Sequence, residues 1–130
     1  MSMLSRRGFT LIELMVVVVI ISLLATIAVP KLTGTRDKAK LASVKSDVRN
    51  IMTAQESYFS DNNAYAPDWA TLAAGSNINV SPTNTPTVTA SGTGWTATVS
   101  NSTITTGITQ CSIQVGGGAA STVDGVITCP

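Results

Sequence analysis

The feature that most constrains this chain is a run of apolar residues from Phe9 to Val29, close to the N-terminus and interrupted by one acid. A helix needs about 20 such residues to cross the hydrocarbon of a bilayer, so the run predicts a membrane-spanning helix. Glu13 is the exception. A charged side chain at the centre of a spanning helix costs about 2.5–3.5 kcal/mol on insertion scales, and Phe9–Pro30 contains no Lys, Arg or His to offset it. A cut between Gly8 and Phe9 would supply a partner, because the new α-amine would lie about one helical turn from Glu13. Arg6 and Arg7 flank the run on its N-terminal side, which predicts a cytoplasmic N-terminus and a translocated C-terminal part.

Gly8-Phe9-Thr10-Leu11-Ile12-Glu13 behind a short basic leader resembles the prepilin signature of type IV pilins and of the pseudopilins of type II secretion. The resemblance implies that a prepilin peptidase, a membrane aspartyl enzyme, cleaves between Gly8 and Phe9 and methylates the Phe9 amine. It implies that Glu13 is the assembly carboxylate, facing the N-terminal amine of a neighbouring subunit. It further implies a homo-oligomeric helical filament built by inner-membrane assembly machinery. The subunit would wait in membrane lipid as a single-pass precursor and end in an extracellular pilus. The likeness is strong over residues 6–30, moderate over 31–72 and loose beyond.

Ser5-Arg6-Arg7-Gly8-Phe9-Thr10-Leu11 also fits a twin-arginine export signal, with Phe9–Ala28 as its apolar region. Three features oppose that reading. The run is longer than the usual 7–15 residues, Glu13 interrupts it, and no Ala-x-Ala site follows.

Pro30 ends the strongly apolar run. It has no N–H to offer the Thr26 carbonyl and its ring crowds that carbonyl, so a kink is expected, with Gly34 as a second weak point. A plain boundary between membrane and soluble segments is the other reading. From Thr35 to about Asp61 the pattern is amphipathic. Leu41, Val44, Val48, Ile51, Met52, Tyr58 and Phe59 form one apolar stripe at three- and four-residue steps. Lys31, Lys38, Lys45, Arg49 and Glu56 line one border of it, either as a solvated flank or as a surface meeting carboxylates of neighbouring subunits.

Asp61–Pro67 reads as a helix exit, and Asp68–Ala74 as a short helix with Pro67 near its first turn and Gly75 ending it. Beyond Gly75 the period changes to two. Val88–Ala90, Trp95–Val99, Ile108–Val115 and Val126–Cys129 predict a small antiparallel sheet of three or four strands with one face on the apolar stripe. The expected class is therefore α+β: a long N-terminal helical spine, its first half transmembrane, and a small antiparallel β-sheet head. The expected segments are a leader at 1–8, a transmembrane or filament-core half at 9–30 and an amphipathic half at 31–61. A connecting loop with a short helix at 62–76 and a sheet at 77–130 follow.

Cys111 and Cys129 are the two cysteines. For an exported domain they read as a disulfide closing the C-terminal loop, against the alternative of two buried free thiols in a reducing compartment. No metal site and no cofactor are expected, because the chain has no His and two thiols alone make a poor zinc site. Catalytic residues are not expected either: no His-based triad is possible and no pair of carboxylates is set for acid–base work. Side-chain charge is +8 −7 = +1, and falls to −1 without Arg6 and Arg7, so direct nucleic-acid binding by bulk charge is not expected. After Asp68 the only charged side chain is Asp124, in a stretch rich in Ser, Thr, Gly and Asn. Such a surface suits packing against copies of itself, and equally suits an ordinary Thr-rich secreted domain.

The function these readings imply is a structural pilus subunit, not an enzyme. The alternatives are a type II secretion pseudopilin and a minor adhesive tip pilin. The near absence of carboxylates in the tail favours a pilin, since the major pseudopilins carry a calcium site there.

Overall fold

The computed structural model describes residues 8–117 and 123–130. The readings that rest on Arg6 and Arg7, and on the far end of the Gly116–Gly118 turn, lie outside the described residues. Helix α1 runs from Leu11 to Asn62, and the short helix α2 from Trp69 to Ser76. Three strands follow: β1 (Thr85–Ser91), β2 (Gly94–Ser100) and β3 (Gln110–Val115). They form one antiparallel sheet in the order β1-β2-β3. The arrangement is the α+β class expected, a long apolar N-terminal helix with a small antiparallel sheet.

Residues up to Thr35 and residues from Arg36 onward form two separate compact units. In the first unit no described side chain is buried. Every side chain from Gly8 to Thr33 is exposed, and Leu11, Val17, Ile20 and Ile27 keep 46–73% of their surface free. The helix is long and apolar enough to cross a membrane. It is helical without interruption through Pro30. Around that residue Ser22, Thr26, Thr33 and Thr35 each turn a hydroxyl back onto the carbonyl four residues earlier, at 2.7–3.2 Å. Such back-bonds satisfy the hydroxyls in apolar surroundings and bend helices slightly.

In the second unit, α1 presents a fully buried face of Val44, Val48 and Ile51. Period two does the rest: Val88, Trp95, Ala97, Val99, Cys111 and Ile113 point to one side of the sheet and join that face in a single core with Leu72 and Ala66. Phe59, expected in the stripe, is instead 41% exposed and stacks on Tyr65 with ring centroids 4.6 Å apart. Strands β1 and β2 are joined by the two-residue turn Gly92-Thr93, where the φ of +58° at Gly92 suits the first position of a hairpin turn.

Helix α2 ends later than its sequence suggests. Gly75 lies inside it, and Asn77, with φ 49°, provides the left-handed cap. The glycine has a packing reason, since a Cβ there would sit 2.7 Å from the Tyr58 ring. At its start, the Asp68 carboxylate accepts from the Thr71 N–H at 2.8 Å as an N-cap, which holds the Asp68 carboxyl below its ordinary range. The anticipated fourth strand is reduced to one bridge: Ser112 and Thr128 exchange backbone hydrogen bonds of 2.8 Å. Beside it a disulfide joins Cys111 to Cys129. The last residues thus cover the outer edge of β3, as an unpaired edge requires.

Candidate functional site

Two groupings of polar residues stand out, one at the start of α1 and one inside the second unit. The first lies at the N-terminal end of α1. Thr10 and Glu13 cap each other: Glu13 Oε2 accepts from the Thr10 N–H at 2.9 Å and from the Thr10 hydroxyl at 2.6 Å. In return the Glu13 N–H points to the Thr10 hydroxyl at 3.3 Å. This is a capping box, in which a side chain at each end satisfies a backbone donor that the first helical turn leaves unpaired. The Thr-x-x-Glu pattern before an apolar run carried that signal, and the reading of Glu13 as an acid without a partner missed it. Gly8 and Phe9 precede the helix in non-helical backbone, and Phe9 is 76% exposed. The structure therefore brings Phe9 and Glu13 to the same end of α1. Pro30, Cys111 and Cys129 lie elsewhere in the chain.

Among the described residues the Glu13 carboxylate takes its hydrogen bonds from Thr10, and it sits among Phe9, Ile12, Val16 and Val17 on the surface of an apolar rod. An α-amine released at Phe9 would be an added donor near this group. A charged amine and a carboxylate in low dielectric attract strongly, and each is costly without the other.

The second grouping was not foreseen. Asp37, Asp47 and Gln55 lie on α1 with 0–4% of their surface exposed, and each fastens a distant segment to the helix. Asp37 Oδ2 accepts from the N–H and hydroxyl of both Thr105 and Thr106, at 2.7–3.2 Å. Those donors hold its carboxyl down to about 2, against the opposing effect of burial. Lys40 adds an ion pair to Asp37 Oδ1 at 3.4 Å and also donates to the Thr103 carbonyl. Asp47 Oδ2 accepts from Ser81 N–H at 2.9 Å and Asn84 Nδ2 at 2.6 Å. Asn101 Nδ2 extends the chain to Asn84 Oδ1 at 2.7 Å. Gln55 pairs with both backbone groups of Ala66, at 3.0 and 2.9 Å. Both buried carboxylates here accept from donors on distant segments, so this cluster ties those segments to α1. Asp124 is likewise engaged, accepting from the Gly116 N–H at 2.8 Å.

The match to a known family covers the first grouping. Residues 3–29 match the family described as the prokaryotic N-terminal methylation motif. Over 61 residues the chain is 48% identical to the type II secretion system core protein G of Klebsiella michiganensis, covering 47% of this chain and 43% of that one. Over 61 residues it is 45% identical to the type IV major pilin protein PilA of Myxococcus xanthus, covering 47% and 28%. The type IV wide pilus major component PilA4 of Thermus thermophilus is 38% identical over 68 residues, covering 52% of each chain. The matched segment is about half of this chain and from 28% to 52% of those relatives.

Proposed function

We propose, from the premise that this chain carries the N-terminal methylation motif shared by type IV pilins and type II secretion pseudopilins, that it is a structural subunit of a type IV pilus. The observation that carries the reading is the fully exposed apolar segment of α1, which opens on the Thr10–Glu13 box immediately after Gly8 and Phe9. An apolar rod left exposed among the described residues must be covered by lipid or by copies of itself, and the two states are the membrane-held subunit and the polymer. Polymerisation buries the same surface without opening it to water, so the apolar rods supply cohesion.

Cleavage at Gly8/Phe9 by a prepilin peptidase, and methylation of the Phe9 amine, would leave a cation at the start of the rod. In the filament that amine and the Glu13 carboxylate of a neighbour form the polar contact in an otherwise apolar core. A subunit out of register leaves a charge unpaired there at a cost of several kcal/mol, so Glu13 selects the register. A local softening of α1 at Pro30 would let the rod adapt to its neighbours. Repeated contacts that do not close into a ring extend indefinitely.

A second reading, a pseudopilin of type II secretion, is favoured by the 48% identity to a core protein G. Both readings share the N-terminal chemistry and differ in which machine draws the subunit from the membrane. Mass spectrometry of filaments sheared from native cells tests the shared part. The expected chain begins at Phe9, carries one added methyl and lacks two hydrogens at the cysteines. Glu13→Ala is expected to leave cleavage and membrane insertion intact while removing most of the sheared filament. Normal filament from Glu13→Ala cells would sink the register role. A chain that keeps Met1 at the cell surface would sink the processing.

A further inference from the structure

One side of α1 in the second unit is charged and makes no ion pair among the described residues. Lys38, Lys45, Arg49 and Glu56 are spaced by 7, 4 and 7 residues and are all exposed. Those steps keep four side chains on one helical face, since 18 residues make five turns. The acids that might have neutralised the cations are spent elsewhere. Asp37 and Asp47 are buried and hydrogen-bonded to Thr105, Thr106, Ser81 and Asn84. The ion pair found among the described residues joins Lys40 to Asp37, and none involves this face. Lys45 and Arg49 are moreover like charges four apart on a helix, an arrangement that destabilises an isolated helix. Glu56 is the acid of this face, and its contact within the chain is a long 3.4 Å hydrogen bond from the Tyr65 hydroxyl.

We propose that this face is a contact between copies of the chain, in which Glu56 of one copy lies against Lys45 and Arg49 of a parallel neighbour. The proposal rests on the filament reading and names the partner surface for it. The face is complementary to itself only when displaced: the cations lie 7 and 11 residues before the acid, so parallel copies match at an axial offset of about 10–16 Å. A displaced contact is heterologous. Each copy offers its cations to one neighbour and its acid to another, and the series does not close. Copies held in one bilayer run in the same direction, which selects this pairing over an antiparallel one. Exposed ion pairs between single copies are weak, but in a polymer the same pair repeats at every subunit and also excludes like-charged misalignments.

The test is charge exchange in cells that make the filament, with sheared filament measured against total subunit. Arg49→Glu and Glu56→Arg are each expected to lower filament yield severalfold, and the double exchange to restore most of it. Lys45→Glu, on the same face, is the second single variant. All three residues are exposed, so thermal unfolding of the detergent-solubilised chain should change little. In a filament mixing Arg49→Cys and Glu56→Cys subunits, a short bismaleimide should give dimers. Single variants that assemble like wild type, or a double exchange no better than Arg49→Glu alone, would overturn the contact while leaving the filament reading intact. A wild-type chain that yields no filament would overturn both, and is distinguished by that control.

Discussion

The two lengths of α1 on either side of Thr35 share a backbone and differ in what their apolar residues do. Before it, Val, Ile and Leu occur all round the helix and all are exposed. After it, Val44, Val48 and Ile51 follow a three- and four-residue step and are fully buried. A helix apolar on every side needs a solvent or partner that is apolar on every side, whereas a striped helix needs one covering layer. The second length finds that layer in the sheet of the same chain. The first length is exposed among the described residues, so its stability as a folded object and its usefulness as a contact surface are separate quantities.

The largest expected effect separates them directly. Ile51→Ala removes a fully buried side chain from the core and should cost about 2–5 kcal/mol, read as a lower midpoint in denaturant unfolding of the detergent-solubilised chain. Val17→Ala, on an exposed residue, should shift the same midpoint by no more than about 0.5 kcal/mol. A comparable loss from Val17→Ala would mean that the apolar rod contributes to the fold of the single subunit, and the contrast would collapse.

The apolar half of this contrast could be read from the residues, because periodicity is a local property. The pattern from Leu41 to Tyr58 predicted a buried stripe, and the alternation at Trp95–Val99 predicted a strand with one buried face. The polar half could not. Asp37, Asp47 and Gln55 look like ordinary solvated positions on an amphipathic helix. What makes them structural is a set of donors 11 to 69 residues away, brought to them only by the completed fold. The Thr10–Glu13 box is a different case, since its partners are three residues apart and the pattern was present in the chain. The donor to Glu13 lies one helical turn before it, at Thr10. Asn77 as the cap of α2 was hidden for a third reason. Glycine is the usual left-handed residue, and only the Tyr58 ring shows why Gly75 is inside the helix.

Asp47→Ala measures one of the unforeseen fastenings. It leaves Ser81 N–H and the amide of the buried Asn84 without their acceptor, and should cost about 1–3 kcal/mol by the same unfolding measurement. The loss should be smaller than for Ile51→Ala, because the Asn84 amide also reaches Ser43 Oγ at 3.1 Å. A loss equal to or larger than that of Ile51→Ala would make the polar fastenings, not the apolar stripe, the dominant tie between α1 and the rest of its unit.

The smallest expected effect is visible only in acid. The fold holds the Asp37 carboxyl down to about 2 from an ordinary 3.8, chiefly through the Thr106 and Thr105 donors. A carboxyl with a lowered value binds its proton less readily when folded than when unfolded, so its charged form favours the fold. Its contribution is therefore complete above about pH 4 and is lost as pH falls from 3.8 through about 2. Asp68, also lowered, adds to the acid loss in the wild-type chain, so the slope alone does not assign it. Asp37→Asn does. The variant should melt below wild type at pH 6, with the gap closing as both are brought toward pH 2. A gap that stays constant over that range would mean that the threonine donors hold the amide as well as the carboxylate. The attachment of residues 105–106 to α1 would then depend on hydrogen-bond geometry without charge.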